Sequence, residues 1–394
     1  MADISYAKRL EPITGSAIRE LLKLTAKPGM ISFAGGNPGN FALPDKQVAE
    51  IAHELLLSNG KKLLQYGPTE GYRPLIEVLV KYIKEEFGAD VSEDEILPVS
   101  GSSQAMDLLC KACLNPGDTV LVESPTFIGN LQCLKIFEAN LVPLESDEHG
   151  IVLEDIEQKI KQYNPKMLYT IPTFQNPTGI TMNVERRKAI AEMAAEYKMI
   201  VAEDDPYHCL RYKGENLPTI KSFDKDGWVA LLGSFSKVIS PGLRVGFVAT
   251  DKNLIRKLTI CKQSADVHTP NLNQAIVTEF LKRNLLKDIV INACKVYGEQ
   301  LNTMLDGLKN IKAVTKYTEP SGGLFIFAEI AKGKNVNDYF KKALEKNVAF
   351  VPGAPFYPQG GHENTFRLNF SNADIETIKK GMDILKEVFD EQGE

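Results

Sequence analysis

The chain has 394 residues, 43% hydrophobic and 25% charged, a composition that excludes a fibrous or disordered protein. That length exceeds what one compact core usually holds, so a large and a small domain are expected. A net charge of −5 without a basic stripe argues against nucleic acid as a partner, and no apolar run approaches the ~18 residues of a membrane span.

The first segment, MADISYAKRLEPITGS, has no apolar core of a secretory signal. Six cysteines (Cys110, Cys113, Cys133, Cys209, Cys261 and Cys294) follow no disulfide-scaffold pattern. Cys110 and Cys113 form a Cys-x-x-Cys pair, but within "QAMDLLCKACL", whose apolar spacing predicts a helix packed on a core. No second pair offers zinc its remaining ligands, and the five histidines form no ligand-spaced cluster, so no metal site is expected. A reduced, cytoplasmic protein is the simplest reading.

In chain order, residues 1–40 read as an N-terminal arm and part of a small domain. Residues 41–285 read as a large domain in which short β-branched runs alternate with amphipathic helices. Strands are predicted at 96–100 (ILPVS), 119–123 (TVLVE), 141–144 (LVPL), 167–171 (MLYTI), 199–203 (MIVAE), 229–233 (VALLG) and 245–249 (VGFVA). Between them lie patterns such as VERRKAIAEMAAEYK, 184–198, with apolar residues returning at three and four positions. This alternation predicts an α/β fold with a mainly parallel seven-stranded sheet covered by helices on both faces. Residues 286–394 change character: a long helix, "GGLFIFAEI", a helix near 336–346, "VAFVPG", "TFRLNF" and a final helix suit a small α+β domain.

Ligands bind beyond the carboxyl ends of strands in open α/β sheets. Four of the predicted strands run into distinctive residues: Ser124-Pro-Thr-Phe127, Thr173-Phe-Gln-Asn176-Pro-Thr-Gly179, Asp204-Asp-Pro-Tyr207 and Ser234-Phe-Ser236-Lys237. Any one alone reads as a turn, since Asn-Pro and Asp-Pro are common turn formers. Four on one sheet edge make a site. A lysine, a carboxylate, a tyrosine, an asparagine, an aromatic ring and a serine/arginine cluster together meet the needs of pyridoxal phosphate. That cofactor needs a lysine for its Schiff base and a carboxylate for its pyridinium nitrogen. "SGSSQAMDLL", 100–109, supplies a phosphate cup, a Gly-Ser-Ser turn that opens a helix whose N-terminal amides at Ser102 and Ser103 favour an anion. Ser234, Ser236 and Arg244 close the cup from the other side.

The ordered set Tyr66, Gly101-Ser-Ser-Gln104, Phe127, Asn176-Pro-Thr-Gly179, Asp204-x-x-Tyr207, Ser234-x-Ser-Lys237, Arg244 and Arg367 resembles the fold-type I, class I/II pyridoxal-phosphate-dependent aminotransferases. The resemblance spans nearly the whole chain. "SAIRELLKL" followed by "ISFAGGNPG", 16–39, is similar to the aromatic, kynurenine and 2-aminoadipate branch. Two departures stand out: Gly101-Ser-Ser-Gln104 replaces the branch's frequent Gly-Ser-Gln-Gln, and Phe127 stands where a tyrosine is common. A shorter hydroxyl then faces the phosphate, and stacking persists without a phenol.

The chemistry assigns Lys237 to the Schiff base and to proton transfer between Cα and C4′, which requires a neutral amine favoured by desolvation and by Arg244. Asp204 holds the pyridine nitrogen protonated, Tyr207 and Asn176 hydrogen-bond the ring oxygen, and Phe127 stacks on the ring face. The resemblance implies that Arg367 clamps the substrate α-carboxylate and that Gly36, in "GGNPG", brings backbone close to it. It further implies a homodimer with shared active sites, Tyr66 reaching the cofactor phosphate of the neighbouring subunit. Arg19 is the candidate cation for a side-chain carboxylate such as that of glutamate. The expected activity is exchange of an amino group between an L-amino acid (aromatic, aliphatic or 2-aminoadipate-like) and a 2-oxo acid such as 2-oxoglutarate. The rivals are a β-lyase or aminocyclopropane-carboxylate-synthase-like enzyme and, from another class, the aminotransferase-like sensor domain of a transcription regulator. The last calls for a helix-turn-helix module ahead of "ISFAGG", where few residues stand.

Overall fold

The computed structural model describes residues 5–11, 13 and 29–391; Arg19 lies outside them. Seven strands form one sheet: β1 Ile96–Val99, β2 Thr119–Glu123, β3 Asn140–Leu144, β4 Met167–Thr170, β5 Ile200–Asp204, β6 Val229–Ser234 and β7 Gly246–Ala249. The seven predicted segments match these to within a residue at each end. Their spatial order is β1-β7-β6-β5-β4-β2-β3. From β6 to β3 every pair is parallel, whereas β7 runs antiparallel to both β1 and β6.

Continuous apolar runs suit these strands because helices cover both faces of the sheet. Along β2, Val120 and Val122 join one buried cluster while Leu121 joins the other, and β4 divides Met167 and Tyr169 from Leu168 in the same way. The alternation is the period of two that a pleated strand imposes. The helix Val184–Tyr197 starts at Asn183, whose side chain accepts from the Arg186 amide. It buries Arg187, Ile190, Ala191 and Ala194, the spacing of one helical face. Cys110 and Cys113 lie on the helix Ser102–Cys113, as their spacing predicts, and all six cysteines are free thiols. Among the described residues no helix is long and apolar enough to cross a membrane.

A second, antiparallel sheet is built from β8 Val314–Tyr317, β9 Phe325–Ile330, β10 Val351–Pro352 and β11 Thr365–Asn369, in the order β8-β9-β11-β10. The helices Leu285–Lys309, Val336–Glu345 and Ile375–Glu391 accompany it. The segment "VAFVPG" is divided between sheets: Val348–Ala349 pairs in parallel with Ile31–Ser32, and Val351–Pro352 pairs with β11. The first pairing draws residues 33–37 alongside β11, where the Asn369 amide donates to the Phe33 carbonyl at 2.8 Å.

Because β6, β5, β4 and β2 are consecutive neighbours, their carboxyl ends lie side by side. The loop after β4 is pinned from beneath by Arg187, which is fully buried. Its guanidinium donates to the carbonyls of Met182 (2.9 Å), Pro172 (2.8 Å) and Pro218 (3.2 Å) and to Thr173 Oγ1 (3.1 Å). Replacing it leaves buried acceptors without donors, at about 1–3 kcal/mol each. Arg187→Met is therefore expected to destabilise the protein by roughly 3 kcal/mol or more. Urea unfolding checks this: a denaturation midpoint equal to wild type would show that the loop is held by other contacts.

Candidate active site

Each strand end delivers a different chemical group to a single cavity of about 330 Å³. It is lined by Gly36, Ser102, Ser103, Phe127, Asn176, Asp204, Tyr207, Ser234, Ser236, Lys237, Arg244 and Arg367. Twelve of the fourteen residues singled out from sequence thus converge. Tyr66 does not: its ring is 81% exposed, on a turn away from the cavity of its own chain. Arg19 lies outside the described residues.

Lys237 follows β6 after the buried Phe235, and its Nζ donates to the Gly36 carbonyl at 2.9 Å. Burial, reinforced by the positive charges of Arg244 and Arg367, lowers its pKa to about 8. Asp204 closes β5 and is buried. Its Oδ2 accepts from Asn130 Nδ2 at 3.1 Å and from the Tyr169 hydroxyl at 3.0 Å, while buried Oδ1 has no hydrogen-bond partner among the described residues. Burial, aided by neighbouring Asp205, raises the Asp204 carboxyl to about 7 against the pull of Tyr169. Burial likewise pushes the Tyr207 phenol well above its usual range.

Arg367, from β11, is buried between two rings, its guanidinium carbon 4.1 Å from the Phe325 centroid and 4.9 Å from that of Phe356. Two of its nitrogens are committed, to Asn176 Oδ1 at 2.7 Å and to the Ala34 carbonyl at 2.8 Å. Its Nε has no partner among the described residues. Burial lowers its pKa to about 10. With Asn176 Oδ1 engaged in this way, the amide nitrogen of that side chain is left as the donor.

At the other end of the cavity the backbone turns through Gly101, whose φ of 86° belongs to the left-handed region. A Cβ at Gly101 would meet the Arg244 guanidinium and displace it, and the positive φ itself favours glycine there. The helix Ser102–Cys113 begins here. Its first amide-to-carbonyl bond is from Gln104 to Gly101 at 3.0 Å, which leaves the Ser102 and Ser103 amides ahead of the ladder. Arg244 donates to the Ser100 carbonyl at 2.9 Å and to Ser236 Oγ at 3.4 Å, and Ser234 Oγ donates to Ser236 Oγ at 3.0 Å. Helix amides, hydroxyls and a guanidinium thus face one another across an anion-sized cup.

Several contributors escaped the sequence reading. Asn130 and Tyr169, which hold Asp204, carry no motif; each sits at a position that reads as ordinary helix or strand. Glu123, at the end of β2, accepts from the Ile171 amide at 2.9 Å and from Gln175 Nε2 at 3.4 Å. Gln175 in turn donates to the Pro125 carbonyl at 2.7 Å, so the loops carrying Phe127 and Asn176 are braced together. Phe325 lines the cavity from "GGLFIFAEI", a run that reads as core strand. His208 bonds Asp205 Oδ2 through Nδ1 at 2.9 Å.

Residues 28–385 match the family model described as "Aminotransferase class I and II". Aromatic-amino-acid aminotransferase 1 of Thermococcus litoralis is 37% identical over 393 residues, covering 98% of this chain and 94% of the relative. The 2-aminoadipate transaminase of Thermus thermophilus is 40% identical over 382 residues, covering 96% and 94%. The crystal structure of a Pyrococcus horikoshii kynurenine aminotransferase, solved in complex with PMP and KYN, superposes with a TM-score of 0.94 at 38% identity, covering 99% of this chain and 98% of the other. The chain therefore belongs to the aminotransferase class I and II family and is a pyridoxal-phosphate-dependent aminotransferase of fold type I.

Proposed function

We propose that the enzyme exchanges an amino group between an aromatic, aliphatic or 2-aminoadipate-like L-amino acid and a 2-oxo acid such as 2-oxoglutarate. The substrate range rests on the aromatic-amino-acid and 2-aminoadipate activities named for the relatives at 37% and 40% identity. The observation that carries the site assignment is the buried, unpartnered Asp204 Oδ1 in the cavity that holds the Lys237 amine. A buried acceptor without a donor is costly, and the N–H of a protonated pyridine is the donor it lacks. The tight turn at Gly101 and the cup around Arg244 suit a phosphate in the same way.

When bound, pyridoxal phosphate supplies an aldehyde that condenses with amines and a ring that withdraws electrons from the substrate Cα. The chain does the rest. Lys237 would supply the amine that holds the aldehyde and, once free and neutral, the base that moves the substrate proton between Cα and C4′. Asp204 would hold the proton on the ring nitrogen. Tyr207 and Asn176 would donate to the ring oxygen, Phe127 would pack on the ring face, and Ser102, Ser103, Ser234, Ser236 and Arg244 would bind the phosphate. Arg367 pairs with the substrate α-carboxylate, for which its uncommitted Nε and the Asn176 amide are available, and Gly36 leaves room for that carboxylate beside Phe325. Arg19 is the candidate for a second, side-chain carboxylate.

Four further readings complete the proposal. The large domain spans 41–285, with 1–40 as an arm and part of the small domain and 286–394 as the rest of the small domain. The pairing of Ile31–Ser32 with Val348–Ala349 supports that division. The enzyme is a homodimer, and the exposed Phe41, Leu57, Leu64 and Tyr66 along one stretch support a covered surface there. Tyr66 reaches the phosphate held by the partner subunit. The compartment is the cytoplasm, which the six free thiols support.

Borohydride reduction is expected to fix the chromophore to the peptide containing Lys237, and label on any other lysine would overturn the assignment. Capture of pyridoxal by the cofactor-free protein needs the neutral amine. Because the Lys237 pKa is lowered to about 8, capture should accelerate as pH rises through 8 rather than through the usual lysine range.

Addition of an amino acid should convert the aldehyde form of the cofactor to the amine form, with a 2-oxo acid restoring it. Release of ammonia without any acceptor requirement would establish a lyase instead. Asp204→Ala should slow the conversion by about 10²–10³-fold while weakening cofactor binding far less. For the shared site, co-expressed Lys237→Ala and Tyr66→Phe subunits should form mixed dimers more active than the sum of the parents. No gain in mixtures shown to exchange subunits would place Tyr66 outside the partner's site.

A further inference from the structure

Behind the phosphate cup lies a cation that no part of this chemistry uses. Lys262, on the helix Lys252–Ala265, has none of its side chain exposed. Its Nζ donates to Gln104 Oε1 at 2.7 Å, to both Asp266 oxygens at 2.9 and 3.0 Å, and to Thr269 Oγ1 at 3.0 Å. Burial lowers its pKa against the opposing pull of Asp266. An ion pair so placed is weak evidence for stability, since apolar residues of similar volume often serve as well. Its geometry has a more specific consequence.

Gln104 is the last residue of the cup segment 100–104. Its Oε1 accepts from Lys262 and from the Ser100 amide at 2.8 Å, and its Nε2 donates to Asp266 Oδ2 at 2.7 Å. Lys262 and Asp266 thus determine which way the Gln104 amide faces. Ser100 is held at every polar atom: its amide by Gln104, and its hydroxyl by Asp266 at 3.1 Å and Thr269 at 3.2 Å. Its carbonyl accepts from Arg244 Nη2 at 2.9 Å. The path from Lys262 to the cup's guanidinium therefore has two intervening residues, each locked by charge-assisted or backbone bonds.

The same hub extends the other way. The Thr269 carbonyl accepts from His268 Nδ1 at 2.8 Å and from Gln274 Nε2 at 2.6 Å. With Nδ1 as donor, His268 Nε2 accepts the Gly67 amide at 3.1 Å; Gln274 Oε1 takes the Tyr72 amide at 2.9 Å, and Asn271 Nδ2 donates to the Gln65 carbonyl at 2.9 Å. One connected network therefore holds both the cup and the turn 65–72 that carries Tyr66.

We propose that Lys262 is a positioning residue for the cofactor phosphate, orienting Gln104 and Ser100 so that the cup's amides and Arg244 stay aimed at the anion. This rests on the reading of 100–104 and Arg244 as the phosphate cup. The test compares dissociation constants of the cofactor-free protein for pyridoxal phosphate and for pyridoxal, which lacks the phosphate. The affinity ratio isolates the phosphate's contribution; a merely structural role would weaken both ligands alike. In Lys262→Met the ratio is expected to fall about tenfold, the loss of one well-aimed charged hydrogen bond, with pyridoxal binding little changed. The double variant Lys262→Met/Asp266→Asn removes the buried charge together with its partner and carries the comparison if the single variant does not fold. Arg244→Gln is the control. If it lowers the ratio and the Lys262 variants do not, or if they weaken both ligands equally, the inference is wrong and the cup reading stands. If Arg244→Gln leaves the ratio unchanged, the cup reading itself fails and the inference with it.

Discussion

A carboxylate removed from water at the end of a central strand is the constraint around which the rest of the molecule is arranged. Asp204 is flanked in sequence by Glu203 and Asp205, and all three are buried. Three acidic side chains in succession repel one another, and burial together with Asp205 raises the pKa of both Glu203 and Asp204, yet each meets its own donors. Glu203 accepts from the Ile220 and Lys221 amides at 2.7 and 2.8 Å. Asp205 accepts from Thr173 Oγ1 at 2.9 Å and is bonded by His208. Asp204 has Asn130 and Tyr169 on one oxygen and open need on the other. Asp205 Oδ1 has no partner among the described residues either, but of the three carboxylates Asp204 alone lines the cavity that holds Lys237.

The cations answer that constraint from other parts of the fold. Lys237 and Arg367 are brought out of bulk water, and burial lowers both pKa values. For Lys237 this favours the neutral amine that condensation requires. For Arg367, far from neutrality at any working pH, it means that two aromatic rings and a carbonyl replace water around a permanent charge. That environment strengthens a later carboxylate partner, because the guanidinium's charge is poorly screened there. The pairing of Ile31–Ser32 with Val348–Ala349 is what delivers the Ala34 carbonyl, so a short early segment completes a site otherwise built from the middle and the end of the chain.

One network joins the anion cup to the turn that carries Tyr66. The turn at Gly101, the guanidinium of Arg244 and the network around Lys262 show the same economy: few side chains, with Ser100 and Gln104 bonded at every polar side-chain atom. Satisfied polar networks in low dielectric hold geometry more firmly than isolated bonds. A cup that must discriminate a phosphate from bulk anions benefits from such rigidity, since the ordering of its donors is accomplished during folding and not at binding.

What was legible in the sequence was whatever local pattern determines. The seven apolar runs, the helix spacing between them, and the abrupt polar residues after four of them depend on period and turn chemistry, which act over a few residues. Gly101 and the serines after it announced a helix start with room for an anion. Lys237, Asp204, Tyr207, Asn176 and Phe127 could be named because each lies at or just after a strand end, and Arg244 because it stands beyond a Pro-Gly turn just ahead of the next strand. Arg367 and Gly36 needed the family resemblance, since nothing local distinguishes them. Only the tertiary structure decided that β7 runs antiparallel, that Tyr66 lies outside its own chain's cavity, that Asn130 and Tyr169 bond Asp204, that Glu123 braces the loops beside it, that Phe325 lines the cavity, and that Lys262 bonds Gln104. A buried lysine on a helix or an asparagine beside a loop has the same local signature whatever it touches. Its partner lies tens to hundreds of positions away, and that distance closes only when the sheet is assembled.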